Sequence, residues 1–303
     1  METLHTLAPR LPMFVALALA AAAPAAAQQA FPTPDAAAQA LVDALGTQRA
    51  DATKLATLFG KNWQQYIPTG DVDRSDVDAF LAGYKTRHAI EKDASGRSVL
   101  AVGNPTWTFP VPLVQAASGW SFDTKAGAEV IRDRRIGRNE LAAIESERAY
   151  HDAQTEYAEA DRDGDGVLEY AQKILSTDGR HDGLYWSDDD SGEISPLGPL
   201  FADATPGSDW HGYHFRILTA QGASAPGGAY NYKLGDNMSR GFALVAWPAK
   251  YGDSGVMSFM ISHDGEVFEK DLGPQSEKIA TAMKSFDPDS SWKEVPDTTT
   301  AGR

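Results

Sequence analysis

A helical pattern occupies the middle of the chain, over residues 139–172, and ends in an acidic, aspartate-rich loop. At about 100° per residue, small and aromatic residues recur on one face of the helix, and most charged residues lie opposite. We predict an N-cap at Asn139 or Gly137, and we expect the apolar face to pack on a β-sheet. The residues of this face are Ala142, Ser146, Ala149, Tyr150, Ala153, Tyr157 and Ala160.

Shorter patterns precede this helix. Three segments have the apolar stripes of short helices, and the segments after them have the composition and turn signals of short β-strands. The helices are predicted at 34–45, 51–59 and 75–84, and the strands at 98–102, 106–109, 112–117 and 120–123. Helices followed by a curved antiparallel sheet resemble the small cone-shaped domains of the nuclear-transport-factor type.

Strand signals dominate the chain beyond the acidic loop, and a closing helix is predicted at 275–285. The strands are predicted at 212–218, 241–247, 255–262 and 266–272. One long helix on an antiparallel meander resembles the globular part of type IV pilins and pseudopilins, some of which carry a loop calcium. The hydrophobic assembly helix and processing site of pilins do not occur in this sequence, so the resemblance does not imply filament assembly.

Charge separates the two halves of the chain. Residues 28–138 contain 13 Lys or Arg and 12 Asp or Glu, a net charge of +1, whereas residues 139–303 contain 13 and 29, a net charge of −16. We therefore predict an α+β protein of two domains, at 28–138 and 139–296, with a disordered polar tail at 297–303. The acidity disfavours binding to nucleic acid or anionic membranes and favours calcium or a basic partner.

Residues 1–27 have the pattern of a cleaved signal peptide. Arg10 precedes an apolar run at 11–23, and three alanines at 25–27 precede Gln28. The run is shorter than the roughly 20 residues that span a bilayer. The chain has no cysteine, which excludes a lipoprotein anchor and structural disulfides. We expect a periplasmic or secreted protein with no membrane span.

The acidic loop at 161–166 has the D-x-D-x-D-G spacing of a calcium loop. Alternate carboxylates converge on one hard cation in such loops, and the glycine allows a sharp turn. Position twelve, where an EF-hand has a bidentate glutamate, is the neutral Gln172. The alternative is a solvated turn without a cation. The predicted calcium ligands are Asp161, Asp163, Asp165, the backbone carbonyl of Val167, and Glu169.

Two other segments invite a catalytic interpretation. Residues 252–255 have the Gly-Asp-Ser-Gly sequence of the trypsin-like nucleophile, but their neighbours do not fit that family, and a turn is the better interpretation. Asp182 and Asp188 lie near aromatic residues and could be the acids of a periplasmic hydrolase that acts on an envelope polymer. Residues 188–193 could instead form a second cation loop or an acidic surface turn.

Six segments of the chain together carry a family resemblance. They are FPTP at 31–34, RRIGRNE at 134–140, DGLYW at 182–186, SPLGP at 195–199, GFALVA at 241–246 and YGDSG at 251–255. The chain resembles the bacterial domain-of-unknown-function family 2950 over nearly its whole mature length. This resemblance implies exported, mostly Gram-negative proteins and supplies no established activity or catalytic residue.

These patterns favour an exported cell-envelope protein that works by binding rather than catalysis. Its C-terminal half is expected to be a calcium-stabilised binding or structural module, with an envelope protein or polymer as its partner. The alternative function is the hydrolase, for which two convergent carboxylates about 5 to 10 Å apart would be required.

Overall fold

The structure is a computed structural model that describes residues 28–70, 72–187, 192–198 and 208–296. The predicted signal peptide, the polar tail and the acidic residues 188–190 lie outside the described residues. Two compact units are present, unit 1 ending at Ala126 and unit 2 beginning at Gly127. The change in charge falls later, at residue 139. Separate folding of two domains stays a prediction.

Unit 1 begins with three helices, α1 at Pro34–Leu45, α2 at Ala52–Phe59 and α3 at Arg74–Thr86. Side chains in the sequence define their starts, because Thr33 and Asp51 accept hydrogen bonds from the first free backbone N–H groups of α1 and α2. A reciprocal capping box of Asp73 and Asp76 starts α3. All three predicted helices are confirmed.

The sheet of unit 1 is antiparallel, with the order β1-β2-β4-β5 and with β3 paired to β2. Its central strand β2 is buried at every residue, and the unit's core gathers between this sheet and the helices. Strand β1 was not predicted, because its sequence HAIEK has little apolar character. The strands are β1 at His88–Lys92, β2 at Ser98–Val102, β3 at Trp107–Thr108, β4 at Leu113–Ala116 and β5 at Gly119–Phe122.

The long helix α4 extends over Thr124–Tyr157, so its predicted start was wrong. The side chain of Asp123 accepts a hydrogen bond of 3.0 Å from the backbone N–H of Ala126 and thereby caps the helix 16 residues before Asn139. Asn139 lies inside the helix, where its side chain donates to the carbonyl of Ser254 at 2.8 Å.

The buried stripe of α4 is rotated from the predicted one. Ala149, predicted to be buried, is exposed, whereas Ala143 and the polar residues Glu147 and Gln154 are fully buried. Because Glu147 and Gln154 are polar, the apolar pattern predicted a neighbouring face of the helix as the buried one. Beyond Asn139, the buried residues of the helix are Ala143, Ile144, Glu147, Tyr150, Ala153, Gln154 and Tyr157.

Unit 2 contains a five-stranded antiparallel sheet in the order β12-β11-β10-β9-β6, which confirms the α+β class. Strand β9 is buried along its whole length, and a two-stranded ladder, β7 and β8, lies apart from this sheet. The short helix α5 follows β11, at Ser276–Ala282. The strands are β6 at Tyr213–Leu218, β7 at Ala220–Gln221, β8 at Tyr230–Asn231, β9 at Ala243–Pro248, β10 at Met257–Ser262, β11 at Val267–Asp271 and β12 at Lys293–Glu294.

A helix can cross a bilayer only when it is both long and apolar. Even α4, with 34 residues, is rich in charged side chains. None of the described helices combines the length and the apolar character that crossing a bilayer requires.

Candidate metal centre

Three exposed carboxylates come together in the loop that follows α4. Asp161, Asp163 and Asp165 each offer one oxygen, and these oxygens all lie within 4.8 Å of one another. Among the described residues this is the one group of three or more potential ligands with that geometry. The three aspartates therefore converge, as their spacing in the sequence predicts.

Backbone N–H groups hold these carboxylates in place. Asp161 accepts from Gly164 at 2.8 Å and from Gly166 at 2.9 Å, and Asp165 accepts from Val167 at 2.8 Å. The turn requires left-handed backbone at both glycines, with φ of 79° and 87°. The hydrogen bonds from Gly166 and Gly164 lower the pKa of Asp161, so its carboxylate is ionised over a wider pH range.

Glu169 lies apart from the three-aspartate group. Its Oε2 accepts a hydrogen bond of 3.1 Å from the backbone N–H of Met238. Partial burial raises the pKa of Glu169, and the negative charges of Asp163 and Asp165 raise it further. Glu169 therefore interacts electrostatically with the acidic loop. The side chain of Val167 is exposed, and only its backbone carbonyl is a candidate ligand.

The acidic loop is attached to a distant turn at residues 234–238. The side-chain amide of Asn237 donates to Asp165, and the amide of Gln172 donates to the carbonyl of Asp236 at 2.7 Å. The backbone N–H of Tyr170 donates to the carbonyl of Met238 at 2.8 Å. No pattern in the sequence predicts this partner, because more than 60 residues separate the two segments.

An arginine between two aromatic rings stands next to the carboxylates. The guanidinium of Arg162 lies 4.9 Å from the ring centre of Tyr157 and 5.3 Å from that of Trp186, which are cation–π distances. Arg162 also donates to Glu193 at 3.3 Å, and His181 contacts the same carboxylate at 2.9 Å. Sequence reasoning missed this cluster, which connects His181, Trp186 and Glu193 with the end of α4.

The proposed hydrolase acid Asp182 is engaged in a surface turn. It accepts from Lys173 at 2.6 Å and from the backbone N–H of Thr177 at 2.7 Å. Partial burial raises the pKa of Asp182, but the hydrogen bonds from Lys173 and Thr177 outweigh that effect and lower it to about 2. A carboxyl group with this pKa is a poor general acid near neutral pH. Asp188 lies outside the described residues, and the hydrolase stays a prediction.

The Gly-Asp-Ser-Gly segment forms a turn that attaches to α4. The hydroxyl of Ser254 accepts from the backbone N–H of Lys250 at 2.9 Å and lies 3.3 Å from the carbonyl of Lys250. Arg135 pairs with Asp253, and Glu140 accepts the next two backbone N–H groups of the chain, at 2.9 and 3.0 Å. Two of the segments that carry the family resemblance therefore contact each other, which gives them a structural role.

Comparison with known proteins addresses the identity of the chain. A family model described as a protein of unknown function (DUF2950) matches residues 28–295. The chain belongs to this family. A search of curated proteins and a search of solved structures each find no match. The family assignment is thus confirmed, whereas the likeness to pilins and to cone-shaped domains stays a prediction.

Proposed function

We propose that this member of the DUF2950 family is an exported cell-envelope protein whose unit 2 is a calcium-stabilised binding or structural module. The observation that carries this proposal is the convergence of the Asp161, Asp163 and Asp165 oxygens within 4.8 Å. Calcium takes six to eight oxygen ligands, including carboxylates and backbone carbonyls. The carbonyl of Val167 and a carboxylate oxygen of Glu169 are the additional ligands that we propose.

Electrostatics explains why a cation would stabilise this loop. Carboxylates a few ångströms apart repel one another, at about 0.5 to 1 kcal/mol per pair in a solvated loop, and a divalent cation replaces that repulsion with attraction. The loop is hydrogen-bonded to the 234–238 turn through Asp165 and Asn237. A cation that orders the loop would therefore also stabilise its contact with this turn. The proposed role of calcium is to tie the segment after α4 to that turn.

The proposed site is a weak one. The three aspartates are exposed, and position twelve has Gln172, whose amide already bonds to the carbonyl of Asp236. Calcium sites of the extracellular type have Kd values on the order of 0.1 to 1 mM. A hundredfold excess of calcium over Kd would stabilise the folded state by about 2.7 kcal/mol if the unfolded chain does not bind.

Thermal unfolding in calcium and in chelator tests the metal site. We expect calcium to raise the Tm of the natural protein, and we expect Asp163→Ala to abolish this rise. The matched control is Asp178→Asn, which removes an exposed aspartate of the same unit and should leave the calcium response intact. Equal Tm values of the natural protein in calcium and chelator would refute the calcium proposal, as would a full response in Asp163→Ala.

Export is supported by the sequence of residues 1–27 alone, where an apolar run precedes three alanines. We expect the mature protein to begin near Gln28 and to meet an envelope protein or polymer outside the cytoplasm. N-terminal sequencing of the protein purified from its native host checks this expectation. Recovery of intact Met1 would contradict export.

A further inference from the structure

Glu147 occupies an unusual position in the middle of α4. Its side chain is fully buried, and neither carboxylate oxygen accepts a hydrogen bond from any described residue. Buried carboxyl groups are normally paired with a donor or a cation, because an isolated charge in the protein interior is costly. An unpaired, fully buried acid therefore calls for a physical explanation.

The polar groups nearest along the buried face are engaged elsewhere. The hydroxyl of Tyr150 donates to the carbonyl of Ala243 at 3.3 Å, and that of Tyr213 donates to the carbonyl of Met257 at 2.8 Å. The amide of Gln154 donates to Tyr150 and to the carbonyl of Ala171. None of these donors is directed at Glu147.

The five-stranded sheet of unit 2, the central sheet, brings one cation to the face that Phe259 shares. Strands β9 and β10 contain no ionisable side chain, and the ionisable residues on that face are Tyr213 of β6, Glu269 and Asp271 of β11, and Lys293 of β12. Lys293 is exposed on the edge strand and does not pair with the buried Glu147. The sheet's alternation turns His214, Arg216 and Lys270 to the opposite face.

Arg216 confirms that orientation, because it donates to carbonyls at the end of α5. On α4 itself, the buried face carries Tyr150 and, two turns before Glu147, Glu140, which accepts hydrogen bonds from the backbone N–H groups of Val256 and Met257. Arg148 and His151 are half-buried beside that face, where Arg148 contacts Glu145 and His151 contacts Asp152. After β10, His263 lies close to His151 through its backbone carbonyl, and its ring contacts Phe242 and lies 3.9 Å from Asp264. None of the described residues therefore pairs with the Glu147 carboxyl group.

We propose that Glu147 makes the attachment of α4 to the central sheet pH-sensitive, so that loss of its proton to solvent as the pH rises loosens this contact. The neutral carboxyl group is tolerated among apolar side chains, whereas the carboxylate has no partner there. The inference concerns the core of unit 2 and is independent of calcium.

The sign of the effect follows from linkage. Burial raises the pKa of Glu147 well above its ordinary value of 4.5. Between 4.5 and the raised value, the folded protein holds one proton more than the unfolded chain. The contribution of Glu147 to stability is therefore fully present below about pH 4.5 and is lost as the pH rises through the folded-state pKa.

Hydrogen exchange of the full chain in chelator tests this proposal. The measured quantity is the protection of amides 143–154 in the natural protein relative to Glu147→Gln, which cannot ionise. We expect that ratio to fall about tenfold per pH unit above 4.5 and to level at the folded-state pKa. A ratio that does not change between pH 5 and pH 8 would overturn the proposal.

Two further variants and one measurement keep the test decisive. Glu145→Gln, at a side chain that is 73% exposed on the same helix, should show no such pH dependence. Glu147→Met replaces the Gln variant if the latter does not fold. Carboxyl ¹³C NMR of the natural protein should show one glutamate protonated well above pH 4.5, and that signal should be missing from the variant. Titration of every glutamate near 4.5 would also overturn the proposal.

Discussion

Carboxyl groups in two regions of unit 2 have opposite environments. In the middle of α4, Glu147 is buried without a hydrogen-bond donor, and burial raises its pKa. In the surface turn at 173–182, Asp182 accepts three hydrogen bonds from Lys173 and Thr177, and its pKa is about 2. The same chemical group is thus favoured as an acid in the helix and as an anion in the turn.

The difference shows that burial raises the pKa of one carboxyl group and that hydrogen-bond donors lower the pKa of the other. Asp161 lies in the most acidic loop of the chain, and its pKa is nevertheless lowered, because Gly166 and Gly164 direct N–H groups at it. Glu147 has no donor, and burial raises its pKa. For Asp161, local backbone geometry therefore outweighs the net charge of the segment.

Gln154 provides the matching comparison on the same face of α4. It is also fully buried, but its amide oxygen accepts from the backbone N–H of Ala171 at 2.8 Å, and its amide nitrogen donates to the carbonyl of Ala171 at 2.8 Å and to Tyr150 at 2.9 Å. Gln154 therefore connects the segment after the acidic loop to the helix, whereas Glu147 makes no hydrogen bond to any described residue.

Replacing each of these two residues with Met should have opposite effects. Gln154→Met leaves a buried N–H and a buried carbonyl of Ala171 unpaired, and we expect a loss of about 2 to 4 kcal/mol in the free energy of unfolding. Glu147→Met removes an unpaired carboxyl group at similar volume, and we expect no loss, or a gain of about 1 to 2 kcal/mol at pH 8. Denaturant unfolding at pH 8 measures both changes.

The control for this pair is Thr155→Ala, which removes an exposed hydroxyl bonded to the carbonyl of His151 and should change stability by less than about 0.5 kcal/mol. An equal loss in both Met variants would contradict the comparison, since it would mean that Glu147 contributes as a bonded residue does.

Sequence reasoning succeeded where the local signal was strong. The N-caps of α1, α2 and α3 are Thr33, Asp51 and Asp73, residue types that are typical of helix starts. Strand β9 is apolar over all six of its residues, and β10 is apolar at four of its six. The three aspartates of the loop converge as their spacing predicts. These features depend on residues that are neighbours in the sequence.

The sequence-based predictions failed where the local signal was weak or where the contact joins distant segments. Residues 124–138 of α4 were missed because they contain Gly127, Gly137 and several arginines, and because the cap, Asp123, resembled the end of a strand. The face of α4 was misplaced because Glu147 and Gln154 are polar residues in a buried stripe. The contacts of the acidic loop with the 234–238 turn connect distant segments, and a periodic pattern contains no information about them.

The smallest effect is expected for Asp182→Asn in the surface turn. The amide retains an acceptor for the backbone N–H of Thr177 but loses the ionic contact with Lys173. Because the side chain of Asp182 is 35% exposed, solvent screens this pair, and we expect a loss of only about 0.5 to 1 kcal/mol at pH 7. Since the folded-state pKa of Asp182 is about 2, against an ordinary value of 3.8, its contribution is present above pH 3.8 and is lost as the pH falls through about 2.

Thermal unfolding of Asp182→Asn and the natural protein at pH 7, 4 and 2.5 measures that contribution, with Asp178→Asn as the control for an exposed aspartate of the same turn. The difference in Tm should shrink at pH 2.5, and added salt should reduce it at pH 7, because an exposed ion pair is screened. A difference that persists at pH 2.5 would mean that the carboxylate charge of Asp182 is not what stabilises the turn. The contrast with Glu147 would then depend on burial alone.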